Sequence, residues 1–341
     1  MKIDELPVTT HERLVSCIDE NGYHGLIAIH STRLGPAIGG TRFWHYQTVD
    51  EAIEDVLRLA RGMTYKNALA GIPFGGGKSI ILRNEHTDRE AIFRTHGRFV
   101  ETFGGRYITA EDVGTSPADM EHIRKETQHV AGLMSGSGDP SPVTARGVFR
   151  AMQAAAKYRW GSDALEGRTV ALQGCGNVGY HLASYLHAAG AHLVVSDIDP
   201  TKVERVVNEF AASAVTPEEI YQVDADIFAP CGLGGVLNDQ TIAQLKTGIV
   251  TGAANNQLLE PRHGDELAAR DILYTPDYAA NAGGVINGCR DLLGWDAAQA
   301  ATKVDEIYDT VLNIFQLAAT ESIPTYKAAD RLAEQRQPPV Q

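Results

Sequence analysis

The sequence predicts an α/β protein of two domains separated by a cleft, the second of them a doubly wound parallel sheet. Three observations carry that expectation. From residue 144 onward, apolar runs of strand length alternate with helix-period stretches, which is the rhythm of βαβ units and a parallel sheet. The first 140 residues mix short β-like runs with helix-period segments and lack that alternation. Between the two halves lies Gly132-Leu133-Met134-Ser135-Gly136-Ser137-Gly138-Asp139-Pro140-Ser141-Pro142, dense in turn residues and poor in core formers. It is a candidate boundary and hinge. The expected division is 1–142, 143–325 and a C-terminal helical segment 326–341 returning toward the first domain.

Each element has its own warrant. Gly25–Ile29 and Ser79–Leu82 are short apolar runs of strand length. Val49–Gly62 is apolar at Ala52, Ile53, Val56, Leu57, Leu59 and Ala60, which is the period of a helix. Thr144–Tyr158 reads as a helix and Thr169–Gln173 as a buried strand. A helix at Gly179–Ala189, a strand at Ala191–Ser196 and a helix at Lys202–Ala211 continue the alternation. Ala225–Phe228 and Ile249–Gly252 are further strands. From Asp296 to about Arg336 the period is helical, in a segment long enough to pack back on the first domain.

Composition narrows the function classes. The chain has 341 residues, with 30 basic against 43 acidic side chains and a net charge of −13. Such a surface repels phosphate backbones and anionic lipid, so neither nucleic acid nor membrane is an expected partner. No apolar run approaches the roughly 20 residues that span a bilayer, and the acidic start shows no signal-peptide core. Cys17, Cys175, Cys231 and Cys289 are far apart, with neither a disulfide framework nor zinc-ligand spacing, as expected for a reducing cytoplasm. The histidines show no metal-ligand spacing, so no metal is expected.

Gln173 leads into Gly174-Cys175-Gly176-Asn177-Val178-Gly179-Tyr180, a G-x-G-x-x-G between a strand and a helix. In a Rossmann-type dinucleotide-binding domain the first glycine makes the turn, the second lets backbone approach a pyrophosphate, and the third lets the helix pack closely. Asp197 follows at the end of the next strand, placed to bond the ribose hydroxyls and repel a 2′-phosphate. Asp199 adds negative charge and no arginine follows within five positions, so the expected cofactor is NAD.

The run Gly71-Ile72-Pro73-Phe74-Gly75-Gly76-Gly77-Lys78-Ser79 is not a P-loop, because that spacing requires glycine where Ile72 stands. Lys66 and Lys78 both lie among apolar or small residues, surroundings that desolvate an ammonium and depress its pKa. The plainer alternative is a pair of lysines snorkelling at a domain edge. Arg106 to Thr115 delivers Glu111 and Asp112 into a glycine turn, either as chemistry at a strand end or as an Asx-turn cap. Ser116 and Asp119 have capping-box spacing.

Several of these runs together resemble the glutamate/leucine/phenylalanine/valine amino-acid dehydrogenase family, most nearly its leucine and valine branch. They are Gly35–Arg42, Gly62–Asn67, Gly75–Lys78, Thr109–Thr115, Gly252–Gln257, Pro276–Tyr278 and Asn281–Asn287, in the family's order. The resemblance implies reversible oxidative deamination of an L-amino acid by NAD, giving a 2-oxo acid and ammonia. It implies Lys78 as the catalytic lysine and Asp112 as proton shuttle. Lys66 would bind the substrate carboxylate with backbone at Gly39 and Gly40, while Thr144 and Asn255 would order nicotinamide and substrate. A symmetric homo-oligomer built through the first domain is implied as well.

The positions matching the family's side-chain pocket are Ile38, Met63, Ala110, Val285 and Gly288. None is basic, which disfavours a glutamate side chain. Leucine, valine and isoleucine are the expected substrates. Gly288 departs from the branch, which carries valine there, and a deeper pocket would admit phenylalanine or tryptophan unless Leu292 or Leu293 refills it. A 2-hydroxy-acid dehydrogenase is a rival enzyme class, though it typically uses a histidine–carboxylate pair. A silent NAD-binding sensor is the non-enzymatic rival, and it has no need of a lysine proton shuttle.

Overall fold

A computed structural model describes residues 1–83, 88–133 and 138–339. The chain divides into two compact units. The first holds Met1–Gly138, Gly288–Trp295 and Ala333–Gln341; the second holds Asp139–Asn287 and Asp296–Leu332. The centre of the proposed hinge, residues 134–137, lies outside the described residues. Among the described residues no helix is long and apolar enough to cross a membrane.

The first unit is built on six strands: β1 (Lys2–Leu6), β2 (Arg13–Ile18), β3 (His24–Ser31), β4 (Ala37–Trp44), β5 (Gly75–Leu82) and β6 (Tyr107–Glu111). Their order is β1-β2-β3-β5-β4-β6. The first three pair antiparallel, β3 pairs antiparallel with β5, and β5, β4 and β6 run parallel. Strand β3 explains the continuous apolar run in the sequence. Ile27 and Ile29 enter one core with Phe93 and Phe99 of α2 (Arg89–Glu101). Leu26 and Ala28 enter another with Ala52, Val56 and Ala60 of α1 (Val49–Ala70). A strand buried on both faces has no polar side to alternate.

Helix α1 begins where Thr48 Oγ1 accepts from Glu51 N, and it ends at Gly71, whose φ of 62° provides a left-handed cap. It runs two turns beyond Gly62. In those turns Thr64, Tyr65 and Asn67 to Ala70 are buried almost all round, so the amphipathic signal fades although the helix continues. Its last carbonyls are held by Arg336, which donates to Leu69 O at 2.6 Å. Tyr65 donates to Glu334 Oε1 at 2.9 Å nearby. Helix α3 (Pro117–Arg124) starts in the Ser116–Asp119 capping box.

The second unit opens with α4 (Ser141–Trp160), followed by β7 (Thr169–Gln173), α5 (Asn177–Ala188), β8 (His192–Ser196) and α6 (Pro200–Phe210). Next come β9 (Ser213–Ala214), β10 (Ile227–Pro230), α7 (Asp239–Gln244), β11 (Ile249–Val250), α8 (Arg262–Ala269) and β12 (Leu273–Tyr274). The six strands are all parallel, in the order β12-β11-β10-β7-β8-β9. The order reverses between β7 and β10, so the sheet is doubly wound and has its switch point there. Five helices complete the chain: α9 (Asp277–Ala280), α10 (Gly283–Leu293), α11 (Ala297–Asp305), α12 (Ile307–Glu321) and α13 (Thr325–Gln335).

Candidate active site

In the first unit the parallel trio β5, β4 and β6 sets out the site. Side chains alternate between faces, so Gly76, Lys78 and Ile80 of β5 share one face. Register pairs Arg42 with Ile80, and Gly40 with Ala110, which puts Ile38, Gly40, Arg42, Ala110 and Asp112 on that same face. Lys78 is only 4% exposed, which rules out a snorkelling surface lysine. Its Nζ lies 2.7 Å from Asp112 Oδ1. The Arg42 Nε donates to Asp112 Oδ2 at 3.0 Å, and its Nη1 donates to Asp55 Oδ2 at 2.8 Å. Tyr46 and Arg58 complete the coordination of Asp55.

This alternation of charges tunes the pair. Burial pushes the Lys78 ammonium below its usual pKa, Asp112 partly offsets that, and the Arg42 charge adds to the lowering. Burial also pushes the Asp112 carboxyl up, but Lys78 and Arg42 together outweigh it and hold it below the usual carboxylate range. An amine whose charged form is destabilised gives up its proton more readily, and the carboxylate beside it can receive one. Asp112 is therefore no Asx cap. The turn is closed by Thr115, whose Oγ1 accepts from Asp112 N at 2.8 Å.

The glycines belong to this geometry. Gly75, Gly76 and Gly77 form the first half of a central strand, not a loop. A Cβ at Gly75 would run into Ser31 O, at Gly76 into Thr64 of α1, and at Gly77 into the Tyr107 ring. The helix carrying Lys66 and Met63 thus approaches the strand more closely than any side chain permits. On β4, a Cβ at Gly40 would sit 2.8 Å from Asp112 Cβ, and one at Gly39 would strike Gly77 O. The β4–β5 ladder pairs Ile38 with Gly76 and resumes at Thr41 with Ser79, leaving Gly39 and Gly40 outside it. They pair with Thr109 and Ala110 of β6.

The structure brings Lys78, Asp112, Gly40, Ala110 and Ile38 to one sheet face. Met63 and Lys66, three residues apart and half-buried, lie on one side of α1. Val285 and Gly288 lie on α10, the former in the second unit and the latter in a segment of the first. A Cβ built at Gly288 meets nothing within 4 Å, so neither Leu292 nor Leu293 fills that space.

In the second unit the 174–180 turn has the form a dinucleotide needs. Gly174 has φ +98°, and a Cβ there would lie 2.6 Å from Gly232 N. Gly176 caps α5 with nothing within 4 Å of its Cβ position, which leaves the helix N-terminus open to a phosphate. At Gly179 a Cβ would collide with Gly174 O. Cys175, Asn177, Val178 and Tyr180 complete the turn and the first helical residues. Asp197 accepts from Cys175 N at 2.7 Å and from Asp199 N at 2.9 Å. A carboxylate has about four acceptor sites, so capacity for two ribose hydroxyls remains. Thr144 stands beside Gly284, and Asn255 accepts from Asn281 Nδ2 at 2.9 Å.

Sequence reasoning missed Arg42, Asp55, Tyr107 and Asn281. Arg42 lies inside the Gly35–Arg42 run, two residues beyond Gly40, so strand alternation from the glycine pair points to it. Asp239, His263 and Glu266 also cluster in the second unit. Arg262 bonds both carboxylates there, so a guanidinium already supplies the positive charge.

Comparison with known proteins agrees with this geometry. Residues 10–129 match the model of the Glu/Leu/Phe/Val dehydrogenase dimerisation domain, and residues 135–336 match that of the Glutamate/Leucine/Phenylalanine/Valine dehydrogenase domain. The chain is 55% identical to a leucine dehydrogenase of Geobacillus stearothermophilus, over 96% of this chain and 90% of that enzyme. It is 46% identical to a phenylalanine dehydrogenase of Lysinibacillus sphaericus, over 95% of this chain and 88% of that one. The crystal structure of L-tryptophan dehydrogenase from Nostoc punctiforme superposes with a TM-score of 0.88 at 46% identity, covering 96% of each chain.

Proposed function

This chain belongs to the glutamate/leucine/phenylalanine/valine dehydrogenase family, and we propose that it catalyses NAD-dependent, reversible oxidative deamination of branched aliphatic L-amino acids, leucine, valine and isoleucine. The observation that carries the chemistry is the buried Lys78–Asp112 pair, 2.7 Å apart. The leucine dehydrogenase relatives favour the aliphatic substrate.

In this reading the Lys66 ammonium and the backbone at Gly39 and Gly40 hold the substrate carboxylate. Asp112, kept anionic by Lys78 and Arg42, takes a proton from the substrate ammonium and leaves a neutral amine. Bound NAD supplies the acceptor for the hydrogen and electron pair that leave the α-carbon. Lys78, neutral when its turn comes, takes a proton from the water that adds to the resulting iminium carbon. Lys78 then releases that proton to solvent and Asp112 returns its own to the amino nitrogen. Lys78 accepts the proton of the new hydroxyl as the carbon–nitrogen bond breaks, and ammonia departs to leave the 2-oxo acid. Burial serves both partners, because charge interactions strengthen where water is scarce.

Residues Gly174–Tyr180 fit the pyrophosphate, Asp197 the ribose of NAD rather than NADP, and Thr144 and Asn255 the nicotinamide end. By resemblance to the family, Ile38, Met63, Ala110, Val285 and Gly288 are the positions that would meet the substrate side chain. The working protein is a homo-oligomer of the reducing cytoplasm, and light scattering reads its size. One observation favours a second substrate class: a Cβ built at Gly288 meets nothing within 4 Å, and a pocket deeper by a side chain would suit an aromatic ring. The test is NADH formation across L-amino acids, with L-lactate and NADP as controls. Leucine ahead of phenylalanine and tryptophan supports the aliphatic reading; aromatic substrates ahead support the second. Silence toward every amino acid refutes both.

A further inference from the structure

Behind Lys78, on the opposite face of the sheet, lies a buried polar cluster that the reaction does not use. Ser79, Thr41, Thr109, Tyr107 and His96 meet there. Thr41 Oγ1 is 2.7 Å from Ser79 Oγ and 3.0 Å from His96 Nε2, and Tyr23 OH is 2.7 Å from His96 Nδ1. Burial holds the His96 imidazole down to about 3, so the cluster is neutral. One of its members leaves the cluster. The Tyr107 hydroxyl, on a fully buried side chain, donates to Gly39 O at 2.6 Å. Its oxygen also lies 3.1 Å from Ser79 Oγ, on the face away from Lys78.

Gly39 and Gly40 are the β4 residues that the β5 ladder skips. Strand β6 pairs with both, while on the β5 side the ladder is interrupted at them, and the Tyr107 hydroxyl is an added hold on their shared peptide. The peptide is trans, so its C=O and N–H point in opposite directions. A hold on the carbonyl from the face away from Lys78 limits rotation of the peptide plane, and with it the direction of the Gly40 N–H. The Tyr107 ring reaches this carbonyl only because Gly77, which it crosses, has no side chain.

We propose that Tyr107 is a positioning residue, holding the Gly39–Gly40 peptide so that the Gly40 N–H receives the substrate carboxylate. The inference rests on the amino-acid dehydrogenase reading above and extends it to the back of the sheet. Tyr107 touches no reacting atom.

The test is Tyr107→Phe in the full-length enzyme. The carboxylate is common to amino acid and 2-oxo acid, so KM for L-leucine and for 4-methyl-2-oxopentanoate should both rise about three- to tenfold, the effect of one lost hydrogen bond. The kcat and the KM values for NAD and ammonia should stay within about twofold. Inhibition by 4-methylpentanoate should weaken in parallel, while inhibition by isopentylamine, which has no carboxylate, should not change. A fall in melting temperature with every KM unchanged, or an equal loss for both inhibitors, makes Tyr107 merely structural and overturns the proposal. Should the variant fail to fold, wild-type amide exchange decides. Exchange at Gly40 must slow with 4-methylpentanoate and not with isopentylamine, and no slowing overturns the proposal. A wild type inactive on every amino acid fails the functional reading instead, while slowed exchange would still uphold the carboxylate seat.

Discussion

Replacing Arg42 by glutamine should move the enzyme's pH dependence without touching a reacting group. Arg42 and Lys78 bind the two oxygens of Asp112, at 3.0 and 2.7 Å, so the two cations share one carboxylate. At an effective dielectric of about 20, like charges about 5 to 6 Å apart repel by about 3 kcal/mol, and that repulsion lowers the Lys78 pKa. Arg42 and Asp112 are each about a fifth open to water, so solvent screens part of this repulsion. The sign follows from the chemistry. Lys78 must be neutral to take a proton from water, and removing a neighbouring cation raises its pKa. The rising limb of kcat/KM for L-leucine oxidation should therefore shift toward higher pH, with the alkaline plateau retained. A limb that stays in place, or moves to lower pH, refutes the argument that Arg42 tunes Lys78. Thermal melting controls for fold loss, because Asp55 also loses a partner in this variant.

Three further outcomes are expected. Lys78→Ala should lower kcat by about two to four orders of magnitude, the usual worth of a general acid–base group, while NAD affinity from fluorescence titration stays within about twofold. Gly288→Val fills space that the structure leaves empty. It should lower kcat/KM for phenylalanine and tryptophan relative to leucine by about 10- to 100-fold, with little change in melting temperature. His96 titrates near 3 when folded, against 6.5 ordinarily. The unfolded chain then binds the extra proton, so its contribution to stability is whole above pH 6.5 and falls by about 1.4 kcal/mol for each unit below it. Thermal melts of the wild type and His96→Asn between pH 7 and 4 should converge as pH falls; parallel curves would count against it.

The dinucleotide turn was legible because its requirements are local. Each of Gly174, Gly176 and Gly179 answers a need set within the strand, turn and helix themselves, and the following strand supplies Asp197. The catalytic half was not legible in the same way. Glycines have poor strand propensity, so Gly75 to Gly77 read as a loop. The reasons for them, Ser31, Thr64 and Tyr107, come from three other elements. The Lys78–Asp112–Arg42–Asp55 chain spans 70 residues of sequence from Arg42 to Asp112, and only strand order brings it together. Two-residue strands such as β9, β11 and β12 carry too few side chains to show a period, and the last turns of α1 lost theirs to burial. The resemblance of whole runs to a family supplied what local physics could not.

Strand β5 divides the molecule into positions that tolerate change and positions that do not. A methyl group at Gly39, Gly75 or Gly76 strikes backbone on a neighbouring strand or helix, which no rotamer can relieve, and one at Gly40 or Gly77 crowds Asp112 or Tyr107. A library aimed at new substrates wastes its variants there, since most would be lost to misfolding before any assay. Ile38, Met63, Ala110, Val285 and Gly288 are the positions proposed to meet the substrate side chain, and a Cβ at Gly288 meets nothing within 4 Å. Diversity confined to those five keeps the proton-transfer pair intact while the pocket is remade.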